Sequence, residues 1–120
     1  MRPVLNHGVY VFASVAYDAD LAALQPVATF REPEGLSVIV EERLAQDAGL
    51  ATMFRAAWIT LTVHSDLHAV GLTAAIAEAL GGAGISCNVV AAALHDHLFV
   101  PFDAGDRALA ILSALQRRSP

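Results

Sequence analysis

The sequence predicts an α+β protein built of two tandem βαββα units, and three observations lead there. The run from Ile59 to Phe102 reads without interruption as strand, helix, strand, hairpin, strand. The first half of the chain repeats that order of elements, in pattern and not in residue identity. Of the 120 residues, 56% are hydrophobic and 16% charged, which supplies a packed core and argues against disorder.

The elements follow in order. After a short leader, Val9 to Val15 has the β-branched and aromatic residues of a strand. Asp18 and Asp20 mark a turn or cap, and Leu21 to Gln25 leaves room for one turn of helix before Pro26. Val27 to Arg31 and Leu36 to Val40 flank Glu32-Pro33-Glu34-Gly35, a hairpin signature. Glu41 to Ala48 is a short helix with acidic residues in its first turn and Gly49 at its left-handed C-cap. Leu50 to Arg55 is the expected junction between an N-terminal half, residues 1–55, and a C-terminal half, residues 56–120.

Trp58 to His64 opens the second half as a strand, with Ile59, Leu61 and Val63 on one face and Trp58, Thr60 and Thr62 on the other. Ser65 is placed to cap, and Asp66 to favour, the positive end of a helix running to about Ala79 or Leu80. Leu67, Val70, Ala74 and Ala77, joined by Leu72, Ile76 and Leu80, make that helix apolar on most sides, so it is expected to be largely covered. Gly81, Gly82 and Gly84 end it. Ile85 to Ala92 reads as a central strand, and Leu98 to Phe102 as its hairpin partner across a His95-Asp96-His97 turn. Asp103 is expected to cap a last helix from Ala104 to Gln116, with Leu109, Leu112 and Leu115 inward.

A strand-helix-strand crossover is right-handed and makes its two strands parallel, so each half approximates a ferredoxin-like unit lacking its last strand. Two such units complete each other's sheets and thereby protect edge strands.

Seven Lys+Arg against 12 Asp+Glu give a net charge of −5, which argues against nucleic acid or an anionic membrane as partner. The single cysteine, Cys87, forms no internal disulfide and fits a reducing cytoplasm. It sits in an apolar segment without a base or cation beside it, so it reads as a packed thiol and not a nucleophile. Val9 to Ala16 imitates a secretory signal only weakly, because Asn6, His7 and Gly8 interrupt the basic start and the large residues alternate. No segment approaches the ~20 apolar residues of a membrane helix.

The segments VHSDLHAVGLTAAIAEAL, GISCNVV and HDHLFVPF, with YVFASV and VATFREPEGLSVIV in the first half, resemble a small bacterial tandem ACT-domain family over essentially the whole chain. The resemblance implies a non-catalytic regulatory module that binds a small molecule, an amino acid in the usual case, between paired ACT units of a homodimer. It implies ligand contacts at the strand-to-helix turn and on a neighbouring strand: His64, Ser65, Asp66, Ala69, Val70 and Gly71 on one side, and Asn88, Val89 and Val90 on the other. There the helix N-terminus offers amide donors to a carboxylate, Asp66 an ion pair to an ammonium group, and Gly71 room for close approach. The turn departs from the family's acidic-then-glycine loop, since four residues separate Asp66 from Gly71. The first half has only Tyr17-Asp18-Ala19-Asp20 at the equivalent place. Two alternatives stay open, an asymmetric site or none.

His64, His68, His95 and His97 invite a metal, but their spacing does not bring four ligands together, so no metal or other cofactor is expected. Ser65 beside His64 and Asp66 has a triad's composition without its geometry. Glu32, Glu34, Glu41 and Glu42 read as a solvated hairpin and helix start. An RNA-recognition domain shares the order of elements but needs exposed aromatics and basic neighbours, where the strands here offer Ile, Val, Ala and Cys. The expectation is thus a cytoplasmic, non-enzymatic, amino-acid-binding regulator. The alternatives are a structural or protein-interaction module pairing through its sheets, or a histidine-based metal binder.

Overall fold

The computed structural model describes residues 2–62 and 70–118. In chain order the elements are β1 Pro3–Leu5, β2 Tyr10–Val15, α1 Leu21–Leu24, β3 Ala28–Glu32, β4 Gly35–Glu41, α2 Glu42–Asp47, β5 Phe54–Leu61, α3 Val70–Gly82, β6 Asn88–Ala91, β7 Asp96–Pro101 and α4 Gly105–Arg118, the last preceded by a 3-10 turn at Phe102–Ala104. They form two compact units, an N-terminal one of Gly8–Arg55 and a C-terminal one of Ala56–Pro120 with Met1–His7. In this division the first seven residues cluster with the C-terminal unit.

In the N-terminal unit the strands lie in the order β3-β4-β2, all antiparallel. Alternation sends Val11 and Ala13 of β2 and Leu36, Val38 and Val40 of β4 to one face, where Leu24 of α1 and Ala45 of α2 close the core. The Asp20 carboxylate accepts a hydrogen bond from the Ala23 amide at 3.2 Å and so starts the single-turn α1. The hairpin turns at Pro33-Glu34 as expected, and the Ser37 hydroxyl on β4 donates to the Glu32 carboxylate. Helix α2 ends in a Schellman motif: the Leu50 amide donates to the Ala45 carbonyl and the Gly49 amide to the Gln46 carbonyl, both at 3.0 Å, with Gly49 at φ +69°.

In the C-terminal unit the order is β1-β5-β7-β6, again antiparallel throughout. This is the strand order of a complete ferredoxin-like sheet, and the place of the missing fourth strand is taken by the start of the chain. The leader is therefore strand β1, pairing Pro3 with Leu61, Val4 with Thr60 and Leu5 with Ile59. Ala57, Ile59 and Leu61 of β5 and Leu98 and Val100 of β7 face Ile76 and Leu80 of α3, Ile85, and Ala108 and Leu112 of α4 in one core. The faces of β5 are those its alternation predicts. Helix α3 ends in the same motif as α2: the Ile85 amide donates to the Leu80 carbonyl at 2.9 Å and the Gly84 amide to the Gly81 carbonyl at 3.0 Å, Gly84 standing at φ +75°. Ile85 and Leu80, joined by that bond, are both buried in the core.

The structure corrects several expectations. Strand β5 starts at Phe54, not Trp58, and Val63 and His64 lie outside the described residues. The start of the long helix expected at Ser65 is also outside them, and the helix ends at Gly82, two residues beyond Leu80. Its inward face is Leu72, Ile76 and Leu80, while Ala74 and Ala77 are exposed. The apolar run from Ile85 is not a central strand. Ile85 completes the helix cap, and β6 is only Asn88–Ala91, exposed along its length at the edge beyond β7. The turn of the last hairpin is Ala92–His95, closed by the Ala92 amide donating to the His95 carbonyl at 3.0 Å, so Asp96 and His97 belong to β7. The 3-10 turn at Phe102–Ala104 replaces the expected Asp103 cap, and Ala108 and Leu112, not Leu109, make the buried contact of α4.

Candidate functional site

Of the nine expected ligand contacts, His64, Ser65, Asp66 and Ala69 lie outside the described residues. Val70 is the first described residue of α3, and Gly71 follows, exposed, with nothing among the described residues within 4 Å of the position a Cβ would take. Asn88, Val89 and Val90 are exposed on β6. Register places Asn88 opposite Phe99, Val89 opposite Leu98 and Val90 opposite His97. Asn88 and Val90 thus share the sheet face turned away from the helices, and Val89 the helix face. Asn88 is not on the strand next to β5: β7 stands between, so the two backbones are about 10 Å apart at two strand spacings.

The face away from the helices carries a cluster that the sequence reading passed over. Antiparallel register sets Trp58 against Phe99 and Thr60 against His97. The Trp58 indole Nε1–H donates to His97 Nδ1 at 3.0 Å, and Thr60 Oγ1 lies 3.2 Å from the same nitrogen. Asn6, just beyond β1, donates through Nδ2 to Thr60 Oγ1 at 2.9 Å and to the Trp58 carbonyl at 3.2 Å. The Trp58 ring stacks on Phe99 with centroids 6.1 Å apart, and the His95 ring meets His97 edge-on at 6.5 Å. His95 Nδ1 is buried with no hydrogen-bond partner among the described residues.

Because an indole nitrogen only donates, His97 Nδ1 must be the bare acceptor nitrogen, which fixes the neutral imidazole with its proton on Nε2. Burial, and then the neighbouring His95, lower the His97 pKa, against a smaller opposing effect of Asp96. The signal for this cluster was in the alternation, which puts Trp58 with Thr60 and His97 with Phe99 on single faces. Only the register joins the two pairs.

Elsewhere the ionisable groups point to packing. Burial pushes the Cys87 thiol up to about 11, away from nucleophilic reactivity. Burial and, secondarily, the Glu41 carboxylate raise the Tyr10 hydroxyl. Among the described residues no three His, Cys, Asp or Glu side chains converge on a metal position, and no helix is long and apolar enough to cross a membrane.

Comparison with known proteins matches this architecture. The family model for an ACT domain matches residues 1–57, and a second ACT-domain model matches residues 54–114. A crystal structure of a protein of unknown function from Vibrio cholerae, described as a possible transport protein, is similar with 48% identity and a TM-score of 0.85, over 94% of this chain and 88% of that one. An Agrobacterium tumefaciens protein shares the fold at 20% identity and TM-score 0.68, over 94% of this chain and 87% of that one. The ligand-free regulatory subunit of aspartate kinase from Thermus thermophilus does so at 12% identity and TM-score 0.71, over 93% and 94%. No curated protein sequence matches the chain. Two ACT-domain matches end to end, on two units whose strands follow the ferredoxin-like order, place this chain in the ACT-domain family as a tandem ACT protein.

Proposed function

We propose that this protein is a cytoplasmic, non-catalytic regulator that binds an amino acid between the ACT units of a homodimer. The observation that carries the reading is the exposed Gly71, with nothing among the described residues within 4 Å of a Cβ there, together with the exposed edge strand at Asn88–Val90. In this reading the two parts of the site come from different copies, the β6 edge of one chain lying against the start of the helix in the other. The N-terminal end of the helix, expected at Ser65, then supplies amide donors for a carboxylate, and Asp66 an acidic partner for the ammonium group. The aspartate kinase regulatory subunit, which shares the fold, supports the regulatory part of the reading.

A thermal-shift screen against the twenty amino acids at millimolar concentration, followed by calorimetry, tests it: one or a few should raise Tm, and no response to any removes the ligand claim. Gly71→Ala should keep the fold, since the Cβ meets nothing, and weaken the ligand that stabilised the parent. Asp66→Asn should lose the ligand while the dimer survives.

The exposed edge supports a second reading. Val89 and Val90 on β6 are 37% and 39% exposed, apolar groups on a strand edge that invites pairing. In that reading the protein pairs without a metabolite. Val90→Lys should then convert the dimer to monomer in light scattering, and the amino-acid screen should stay silent.

A further inference from the structure

We propose that His97, Trp58 and Thr60 form a proton-operated switch on the helix-free face of the C-terminal sheet, in which protonation of His97 exchanges its bond from Trp58 for a bond to Thr60. At neutral pH His97 Nδ1 is a bare acceptor on which Trp58 Nε1–H at 3.0 Å and the Thr60 hydroxyl at 3.2 Å converge. A proton added to Nδ1 meets the indole N–H head on, and that bond cannot survive because both atoms then donate. Thr60 Oγ1 has no such conflict. A hydroxyl donates or accepts, so it reverses and takes the new Nδ1–H, while still accepting from Asn6 Nδ2 at 2.9 Å. The charged imidazole keeps a partner, and the indole loses its hydrogen bond to β7 while its ring stays stacked on Phe99.

The groups facing His97 set where the switch operates. On its own strand and turn are His95, edge-on at 6.5 Å, and the adjacent Asp96. Among the described residues, β1 and β6 carry no titratable side chain, and the one on β5 is Arg55, at the far end of that strand and paired with Glu42 at 2.7 Å. No fixed charge from a neighbouring strand therefore overrides the exchange. Burial and the proximity of His95 place the transition on the acid side of an ordinary histidine. The switch does not depend on the ligand proposed above.

Trp58 is the only tryptophan, so its emission reports on this cluster alone. Titrating the intact protein from pH 8 to 5, with circular dichroism to show that the fold persists, should give one sigmoidal change in emission with a midpoint below 6.5. His97→Gln should abolish it, since the amide does not titrate. His95→Gln should retain it with the midpoint moved up. Thr60→Val, which removes the acceptor of the charged state, should move it down by about one pH unit. Emission that stays flat with pH, a transition that survives in His97→Gln, or a midpoint indifferent to Thr60→Val overturns the proposal. Nitrogen NMR of the wild-type His97 ring at pH 7.5 stands independent of variant folding: Nδ1 should be unprotonated, and a protonated Nδ1 refutes the switch.

Discussion

Gly105 and Gly81 are both glycines in helices, yet space gives them opposite consequences. A Cβ at Gly105 would sit 2.9 Å from the Ala57 Cβ and 3.7 Å from Leu5, because α4 lies tight against β5 and β1 there. Gly105→Ala should lose about 1–3 kcal/mol to overpacking, partly offset by the helix propensity of alanine. Gly81 is exposed with nothing within 4 Å, so Gly81→Ala should gain about 0.5–1 kcal/mol. Denaturant unfolding of the two variants should move in opposite directions. His97 adds a pH term of definite sign. Its folded pKa is lowered, so between that value and the unfolded value near 6.5 the unfolded chain binds more protons. Its contribution to stability is fully present above pH 6.5 and declines as pH falls through that window. His97→Gln should flatten this part of the stability–pH curve, read from Tm between pH 7.5 and 5.

Two helices end in the same Schellman motif, one in each unit, and each glycine stands at a positive φ that costs a side chain about 1–2 kcal/mol. Gly84→Ala should therefore destabilise by about 1 kcal/mol while leaving α3 in place, a loss readable as a lower denaturation midpoint with unchanged helical circular dichroism. Gly49 and the Asp20 cap were legible in the sequence, because a cap is a local event that a few neighbouring residues decide. The last hairpin was not. His95-Asp96-His97 has the composition of a turn, but pairing of Asp96 with Leu61 and His97 with Thr60 draws both into β7 and pushes the turn back to Ala92–His95. Residues Ile85 to Ala92 misled for a related reason: apolar content marks burial, and a helix C-cap buries Ile85 as well as a strand would.

At the scale of the molecule, the first seven residues decide whether the C-terminal unit has its fourth strand. Asn6 donates to Trp58 and Thr60, the Thr62 amide and hydroxyl donate to the Arg2 carbonyl at 2.9 and 3.0 Å, and Leu5 packs against the core. Deleting residues 1–7 should lower Tm and speed amide exchange at Ile59, Leu61 and Leu98, in the core against which Leu5 packs, while exchange at Val38 and Val40 changes less. Nothing in the chain marked Pro3–Leu5 as a strand: three residues show no periodicity, and the segment is extended only because β5 offers it an edge 54 to 58 positions away in sequence. What the sequence by itself determined was everything carried by short range: the α+β class, the repeated βαββα order, the faces of β5, the glycine caps, and through its segments the ACT resemblance. The tertiary structure alone decided which strands are neighbours, and with them the edge position of β6, the placing of β7 between Asn88 and β5, and the meeting of Asn6, Trp58, Thr60 and His97. Alternation tells each strand which way its side chains point, but not which strand will lie beside it.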